Sequence, residues 1–305
     1  LELVKLYNSD QTSYYRSSEV EAVIHKALNY WFTAKPVCLN WWYNQIGIPK
    51  TLGTVFILFE KQLTPVEKQN AITVMENAKF GMTGQNKVWL AGNVMMRALL
   101  QNDYELVKMA RDTIASEIVT GGAEGIKDDW CFHQHGAQQQ FGNYGLSFVS
   151  GMSFFSGLFS GTSLAFDDKQ LSILSTLIDK GYRWVIWKGM MDVNALGRQL
   201  FHHAPVHKAL SLAFAASELG GGESDECVAV ATALLRDNYP APAVNVLTGH
   251  KHFWQSDYTI HRCPSWMASI KMASDRIIGT EMMNGDNMKG YYMADGATYI
   301  YKDGK

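Results

Sequence analysis

Long apolar runs are missing from this 305-residue chain. No stretch approaches the about 18 consecutive apolar residues of a membrane-spanning helix, so membrane insertion is not expected. Cysteine is scarce and scattered: Cys38, Cys131, Cys227 and Cys263 have no CxxC spacing. That argues against a zinc knuckle and leaves both disulfide pairing and free buried thiols open. Neither charge sign prevails, the formal net charge being −2. Nothing therefore steers the whole chain toward nucleic acid or an anionic membrane, and a polyanionic ligand would need a local basic patch. The first residues, Leu1-Glu-Leu-Val-Lys5, lack the basic-then-apolar pattern of a secretory leader. Either the protein is cytosolic or its leader is missing, and the abrupt start favours a processed or cut chain.

What is present is ordinary for a globular protein: 47% hydrophobic and 18% charged residues, enough for one or two domains with a large core. Aromatic residues reach 12%, with nine Trp. Indoles suit sugar-stacking surfaces and also serve simply as core residues.

Helical signals fill the first four-fifths. Ser17-Ser18-Glu19-Val20-Glu21 reads as an N-cap with an acidic first turn, followed by Val23, Ala27, Leu28 and Trp31 at helical spacing. Thr64-Pro65-Val66-Glu67 combines a cap, Pro at the first helical position and Glu at the third. Residues 88–100, 104–119, 146–159, 169–186 and 206–217 are predicted as further helices, separated by Gly- and Asp-rich breaks. Near Asn245 the pattern changes. Trp266, Ala268, Ile270 and Met272 alternate at period two, and Ala297-Thr-Tyr-Ile-Tyr301 is rich in strand formers. The expected division is a helical array over 1–245 and the first strands of an antiparallel sheet domain over 246–305, a length too short for a free-standing β domain.

Five clusters carry chemistry. In Asn40-Trp41-Trp42 the adjacent indoles of a helix would point about 100° apart, so both cannot sit well in one core face. One of them facing a groove and one merely lying at the core edge are both open. Gly81-Met-Thr-Gly84-Gln85-Asn86 places an amide at a helix start, suited to an anion or to an ordinary cap. The segment from Asp129 to Tyr144 gathers His133, His135, Tyr144, several amides and glycines with no packing reason to do so. Neutral His and Tyr suit proton transfer near neutral pH, which marks an active-site loop leading into a helix. His133-x-His135 also has the spacing of a metal pair, but its surroundings offer Gln and Asn rather than a third His or Cys, and no metal is expected. In the fourth cluster Arg198 follows Gly197 and precedes His202 and His203; it is either a solvated charge or a cation for an acidic substrate or a phenolate. The fifth, Glu281-Met-Met-Asn284-Gly285-Asp286-Asn287, is by itself an unremarkable polar turn.

Together the clusters resemble one family. Asn-Trp-Trp-x-x-x-Ile-Gly-x-Pro, Thr-Gly-x-Asn, His-Gly…Gly-x-Tyr-Gly, Gly-Arg and Glu-x-x-Asn-Gly-x-Asn occur in the order found in polysaccharide lyase family 8, which includes chondroitin AC, hyaluronate and xanthan lyases. The resemblance runs from about Leu39 to the C-terminus. It implies a mainly α fold, an incomplete (α/α) toroid followed by the start of an antiparallel β-sandwich domain, truncated here. It implies catalytic roles for Asn86, His135, Tyr144 (nine positions after His135), Arg198, Glu281 and Asn284, and substrate binding by Trp41 and Trp42, with Asn40, Gln85 and His202 alongside. Where chondroitin AC-type members carry a second Arg four positions after the first, this chain has His202, so recognition of substrate charge is expected to differ.

The implied reaction is β-elimination at a 4-linked uronate of an acidic polysaccharide. The C5 proton beside a carboxylate is very weakly acidic, so donors aimed at that carboxylate, Asn86 and His135, lower the barrier; losing one such donor commonly costs ~10²–10³ in rate. Tyr144 takes the proton and returns it to the leaving oxygen. Since a tyrosine phenol has an ordinary pKa of about 10, its anion needs a cation such as Arg198, with Glu281 and Asn284 expected to hold Arg198 or His135 in place. No cofactor is required, although the resemblance leaves room for calcium in the β region beyond this chain. A monomer outside the cytoplasm, extracellular or periplasmic, is expected because such polymers are met there. The polysaccharide is expected to be a glycosaminoglycan such as chondroitin or hyaluronan. Three alternatives stay open: a xanthan-type lyase, a glycoside hydrolase on the same helical scaffold using carboxylates among Glu124, Asp128 and Asp129, and a non-catalytic glycan-binding chain keeping Trp41 and Trp42.

Overall fold

The computed structural model describes residues 1–219 and 247–302. The expected boundary at 245, and Cys227, lie outside the described residues. Two compact units are present: Leu1–Met82 with Asn86–Ser116, and Thr83–Gln85 with Glu117 onward.

The first unit is helical. It contains α1 (Glu2–Asn8), α2 (Ser18–Ala34), α3 (Ile48–Leu58), α4 (Pro65–Met75), most of α5 (Gly84–Gln101) and α6 (Tyr104–Ala115). Its helices start where the caps predict. Ser17 Oγ accepts the Val20 N–H at 3.4 Å, and Thr64 with Glu67 forms a reciprocal capping box. Glu67 does more than cap: buried, it also meets His25 Nδ1 at 2.9 Å and the Asn29 amide at 3.1 Å, tying α4 to α2. The core between them is aromatic and aliphatic, with Phe32, Phe56, Phe59 and Met75 all buried. Before α3 the chain makes one helical turn at Trp41–Trp42 and a wide π-type turn over Tyr43–Gly47.

The second unit combines helices and short strands. Its helices are α7 (Leu146–Phe159), α8 (Asp168–Thr176) and α9 (Ala204–Leu219). The helix predicted over 169–186 instead breaks at 176 into a π-type turn that ends at Gly181, where a Cβ would collide with the Trp130 carbonyl, and a 3₁₀ turn over Tyr182–Val185. Two small hairpins were not foreseen: β1 (Gly125–Ile126) with β2 (Phe132–His133), and β3 (Ile186–Trp187) with β4 (Met190–Met191). Two residues per strand leave no alternation to read. Helix α7 packs on α9, whose Ala213, Ala215 and Ala216 are small enough for close approach, and Ser153 Oγ donates to the Ala215 carbonyl at 2.9 Å.

The C-terminal strands β5 (Gly249–Phe253), β6 (Tyr258–Cys263), β7 (Trp266–Lys271) and β8 (Ala297–Lys302) form an antiparallel meander in that order. The period-two reading of 266–272 has the right period, but the buried face is the other one. Met267, Ser269 and Lys271 are buried, whereas Trp266 and Ile270 are exposed. The polar members of the buried face are paired. Ser269 accepts from the Asn194 amide at 3.0 Å, and Lys271 donates to the Gly279 carbonyl at 3.1 Å and to Thr280 at 3.2 Å. Burial lowers the Lys271 pKa to about 8.

Candidate active site

Of the candidate residues, Asn40, Trp41, Trp42 and Asn86 belong to the first unit. Gln85, His135, Tyr144, Arg198, His202, Glu281 and Asn284 belong to the second.

In the first unit the two indoles part company. Trp41 is 44% exposed, while Trp42 packs edge-on against Trp89 with ring centroids 5.5 Å apart. Asn40 is the cap of this turn, its Oδ1 accepting the Trp42 N–H at 3.0 Å. The glycine of the Ile-Gly-x-Pro motif has a packing reason: a Cβ on Gly47 would lie 2.6 Å from the Trp42 ring. Asn86 is buried in the first turns of α5, its Oδ1 without a protein partner.

In the second unit the loop ahead of α7 is built on its own amides. The Gln140 carbonyl accepts the N–H groups of Asn143 at 3.2 Å and Gly145 at 2.9 Å, closing the π-type turn Phe141–Gly145 that presents Tyr144. Lys208 of α9 donates to the Gly142 carbonyl in the same turn and to Gln199 at 2.7 Å; burial lowers its pKa to about 8. Chain 278–281 then lies alongside this loop. The Ile278 N–H donates to the Ala137 carbonyl at 2.8 Å, and the Glu281 N–H to Gln138 Oε1 at 2.9 Å. Those two bonds deliver the Glu281 carboxylate to the centre.

Glu281 joins three groups. Its Oε2 is 2.6 Å from His135 Nδ1, and its Oε1 meets the Arg198 guanidinium and the Gln140 amide, the latter at 3.4 Å. Tyr144 lies against two of the partners of Glu281: its ring centroid is 4.7 Å from that of His135 and 5.8 Å from the Arg198 guanidinium carbon. Arg198 is buried, and a second carboxylate, Asp286, reaches its Nε at 3.3 Å. Burial pulls the His135 pKa below the usual histidine value; Glu124 offsets that in part and Arg198 adds to it. The ring is then neutral at neutral pH, and the His135–Glu281 contact is an Nδ1–H donated to a carboxylate rather than an ion pair.

The strands supply the rest of the scaffold. Buried Asp192 accepts from the hydroxyls of Tyr258 and of Tyr301, the latter at 2.7 Å, and so ties the turn leading to Arg198 to β6 and β8.

Several expected participants stand elsewhere. Asn284 is exposed on a left-handed turn (φ 59°) and hydrogen-bonds to neither His135 nor Arg198; Asp286, two positions on, takes the place foreseen for it. Gln85 is fully buried, and it is its backbone N–H that is used, donated to Gln134 Oε1 at 2.8 Å. His202 is exposed and stacks on His203, with ring centroids 3.7 Å apart. His133 faces away from His135, toward Ser256 Oγ at 2.9 Å, so the two histidines do not act as a pair. The acids of the hydrolase alternative are engaged or apart: buried Asp129 accepts the backbone N–H groups of Cys131 at 3.0 Å and Gln255 at 2.7 Å, Glu124 accepts from Gly136 at 2.9 Å, and Asp128 is exposed. Sequence reasoning missed Lys208, Gln138 and Gln140 as supports. The only signal was the unexplained density of amides between 134 and 143.

Comparison with known proteins places the chain in a family. The N-terminal alpha-helical domain of polysaccharide lyase family 8 matches residues 1–217, and the super-sandwich domain of the same family matches residues 248–305. Chondroitinase-AC of Pedobacter heparinus is 29% identical over 98% of this chain and 43% of that protein. Hyaluronate lyase of Thermasporomyces composti is 27% identical, covering 85% of this chain and 38% of its own length. Xanthan lyase of Bacillus sp. (strain GL1) is 25% identical, covering 95% and 36%. Among solved structures, a chondroitinase AC lyase studied in enzyme–oligosaccharide complexes superposes with a TM-score of 0.87 at 27% identity, over 99% of this chain and 45% of that one. The chain thus spans less than half the length of these relatives. It belongs to polysaccharide lyase family 8.

Proposed function

We propose that the protein cleaves a uronic-acid-containing polysaccharide, a glycosaminoglycan such as chondroitin or hyaluronan, by β-elimination to leave a 4,5-unsaturated uronate end. The observation that carries this reading is the Glu281 carboxylate shared by His135 and Arg198, with the Tyr144 ring against both. A phenol next to an imidazole and a guanidinium is what proton abstraction beside a carboxylate requires.

Tyr144 takes the C5 proton and then protonates the departing O4, and the Arg198 charge stabilises the phenolate form. With Nδ1–H given to Glu281, the neutral His135 ring keeps a bare Nε2. The incoming uronate supplies the negative charge that offsets burial and Arg198, so His135 takes up a proton as substrate binds and Nε2–H then donates to the uronate carboxylate. Each step uses side chains of the chain alone. The roles assigned to Asn40, Trp41, Trp42 and Asn86 rest on the family motifs. We assign the protein to an extracellular or periplasmic location, where polymers of this size occur, and to a monomeric state.

The test is a panel of chondroitin, hyaluronan and xanthan followed by the ultraviolet absorbance of the conjugated product. New reducing ends without absorbance would mean hydrolysis, and binding without either would mean a glycan-binding protein; both outcomes reject the lyase reading.

A further inference from the structure

One carboxylate in this region has no part in the chemistry above. Glu124 sits between two pieces of chain that flank the candidate residues. Its Oε1 accepts the Gly136 N–H at 2.9 Å, and its Oε2 accepts from the Thr83 hydroxyl at 2.5 Å and from the Gln134 amide. Gln134 continues the link, its Oε1 accepting the Gln85 N–H at 2.8 Å. The residue enclosed by these contacts is His135, whose backbone is left-handed (φ 61°) and is followed by left-handed Gly136 (φ 82°). A residue with a Cβ holds that conformation only where its surroundings impose it. The Gly136 N–H that this reversal turns outward is the one Glu124 binds.

We propose that Glu124 is a positioning residue for His135: it pins the reversed backbone at Gly136 so that Nδ1 meets Glu281, and it sets a negative charge beside the imidazole. The proposal rests on the lyase reading for its consequence in catalysis and not for its geometry. The groups facing His135 are Glu281 at Nδ1, Glu124 from the preceding loop, Arg198 behind Glu281 with Asp286 on its far side, and the Tyr144 ring. Of these, Glu124 favours the imidazolium and Arg198 opposes it, while burial opposes it most.

Glu124→Gln keeps an oxygen for the Gly136 N–H and removes the charge, whereas Glu124→Asp keeps the charge and withdraws it by one methylene. Histidine-ring NMR titration of the protein, with His135 assigned by its loss in His135→Gln, is the primary measurement. Expected for Glu124→Gln is a lower His135 midpoint, with proton affinity reduced roughly threefold to tenfold, and an alkaline limb of kcat/KM displaced to lower pH. Expected for Glu124→Asp is a midpoint near that of the parent protein with kcat reduced ~10-fold or more by misplacement and KM little changed. Coincident midpoints in Glu124→Gln and the parent, or kcat losses that merely follow a drop in thermal stability with the pH profile unmoved, overturn the proposal. The titration needs no turnover. A parent protein that yields no unsaturated product on any substrate would reject the lyase reading and leave the role of Glu124 to be decided by the midpoints.

Discussion

His135 Nδ1 lies 2.6 Å from Glu281 Oε2 across 146 residues of sequence, and that contact sets the chemistry of the ring. A histidine whose Nδ1–H is committed to a carboxylate presents only Nε2 to a ligand. The same carboxylate neutralises buried Arg198, so one acid fixes a tautomer, a cation and, through both, the surroundings of Tyr144.

Replacing Tyr144 by Phe removes the hydroxyl and little else, because the ring edge against His135 is retained. Formation of unsaturated uronate should fall by ~10²–10⁴-fold while polysaccharide binding persists. Ultraviolet assay beside calorimetric binding separates the two, and an active Phe variant would remove Tyr144 from the proposed role.

The lowered pKa of His135 has a sign that can be measured. Burial and Arg198 leave the free ring neutral at neutral pH, so productive binding takes up a proton. The ratio kcat/KM should therefore decline as pH rises from a point below the usual histidine value, and binding measured in buffers of different ionisation enthalpy should show net proton uptake. Release of protons would contradict the scheme.

Glu281→Ala leaves the Arg198 charge buried, with Asp286 as its one remaining carboxylate partner among the described residues. Breaking a buried pair from one side costs about 3 kcal/mol. Adding Arg198→Met to that background should return part of the loss, so the two single changes are not additive. Denaturant unfolding of the four proteins of the cycle measures it; strict additivity would show that the pair does not interact.

The two indoles should separate stability from binding. Trp42→Ala empties the space between Trp89 and Gly47 and should cost roughly 3 kcal/mol. Trp41→Ala, at an exposed position, should change stability by less than ~0.5 kcal/mol yet weaken polysaccharide binding by ~1 kcal/mol, about fivefold in Kd. Equal stability losses in the two variants would contradict this assignment.

Acid should destabilise the protein through His133. Burial lowers its pKa to about 4 from an ordinary value of 6.5. The unfolded chain therefore binds the proton more readily, and stability that is complete above pH 6.5 is lost as pH falls toward 4, by up to about 3 kcal/mol. His133→Gln, which can still meet Ser256, should flatten the stability profile across that window.

Much of this was legible along the chain because it depends on near neighbours. The Thr64–Glu67 box is a four-residue pattern and forms as read. The loop before Tyr144 stood out because polar residues gathered there without a packing reason. The same locality explains what was hidden. Nothing near Asn284 tells that Asp286 reaches Arg198, since a turn can aim either side chain. Nor does alternation over 266–272 tell which face is buried: both faces share one period, and only paired partners for Ser269 and Lys271 make the polar side the inner one.

By itself the amino-acid order determined most of the helices and their caps, the change to strands in the last fifth, and the order of the candidate side chains along the chain. Tertiary structure alone decided which of them meet. The carboxylate of Glu281 reaches His135 and Arg198 because backbone bonds at Ala137 and Gln138 hold the 278–281 segment beside the loop. Such bonds join segments some 140 positions apart in sequence. Their partners are chosen by the packing of the whole unit, which no local pattern encodes.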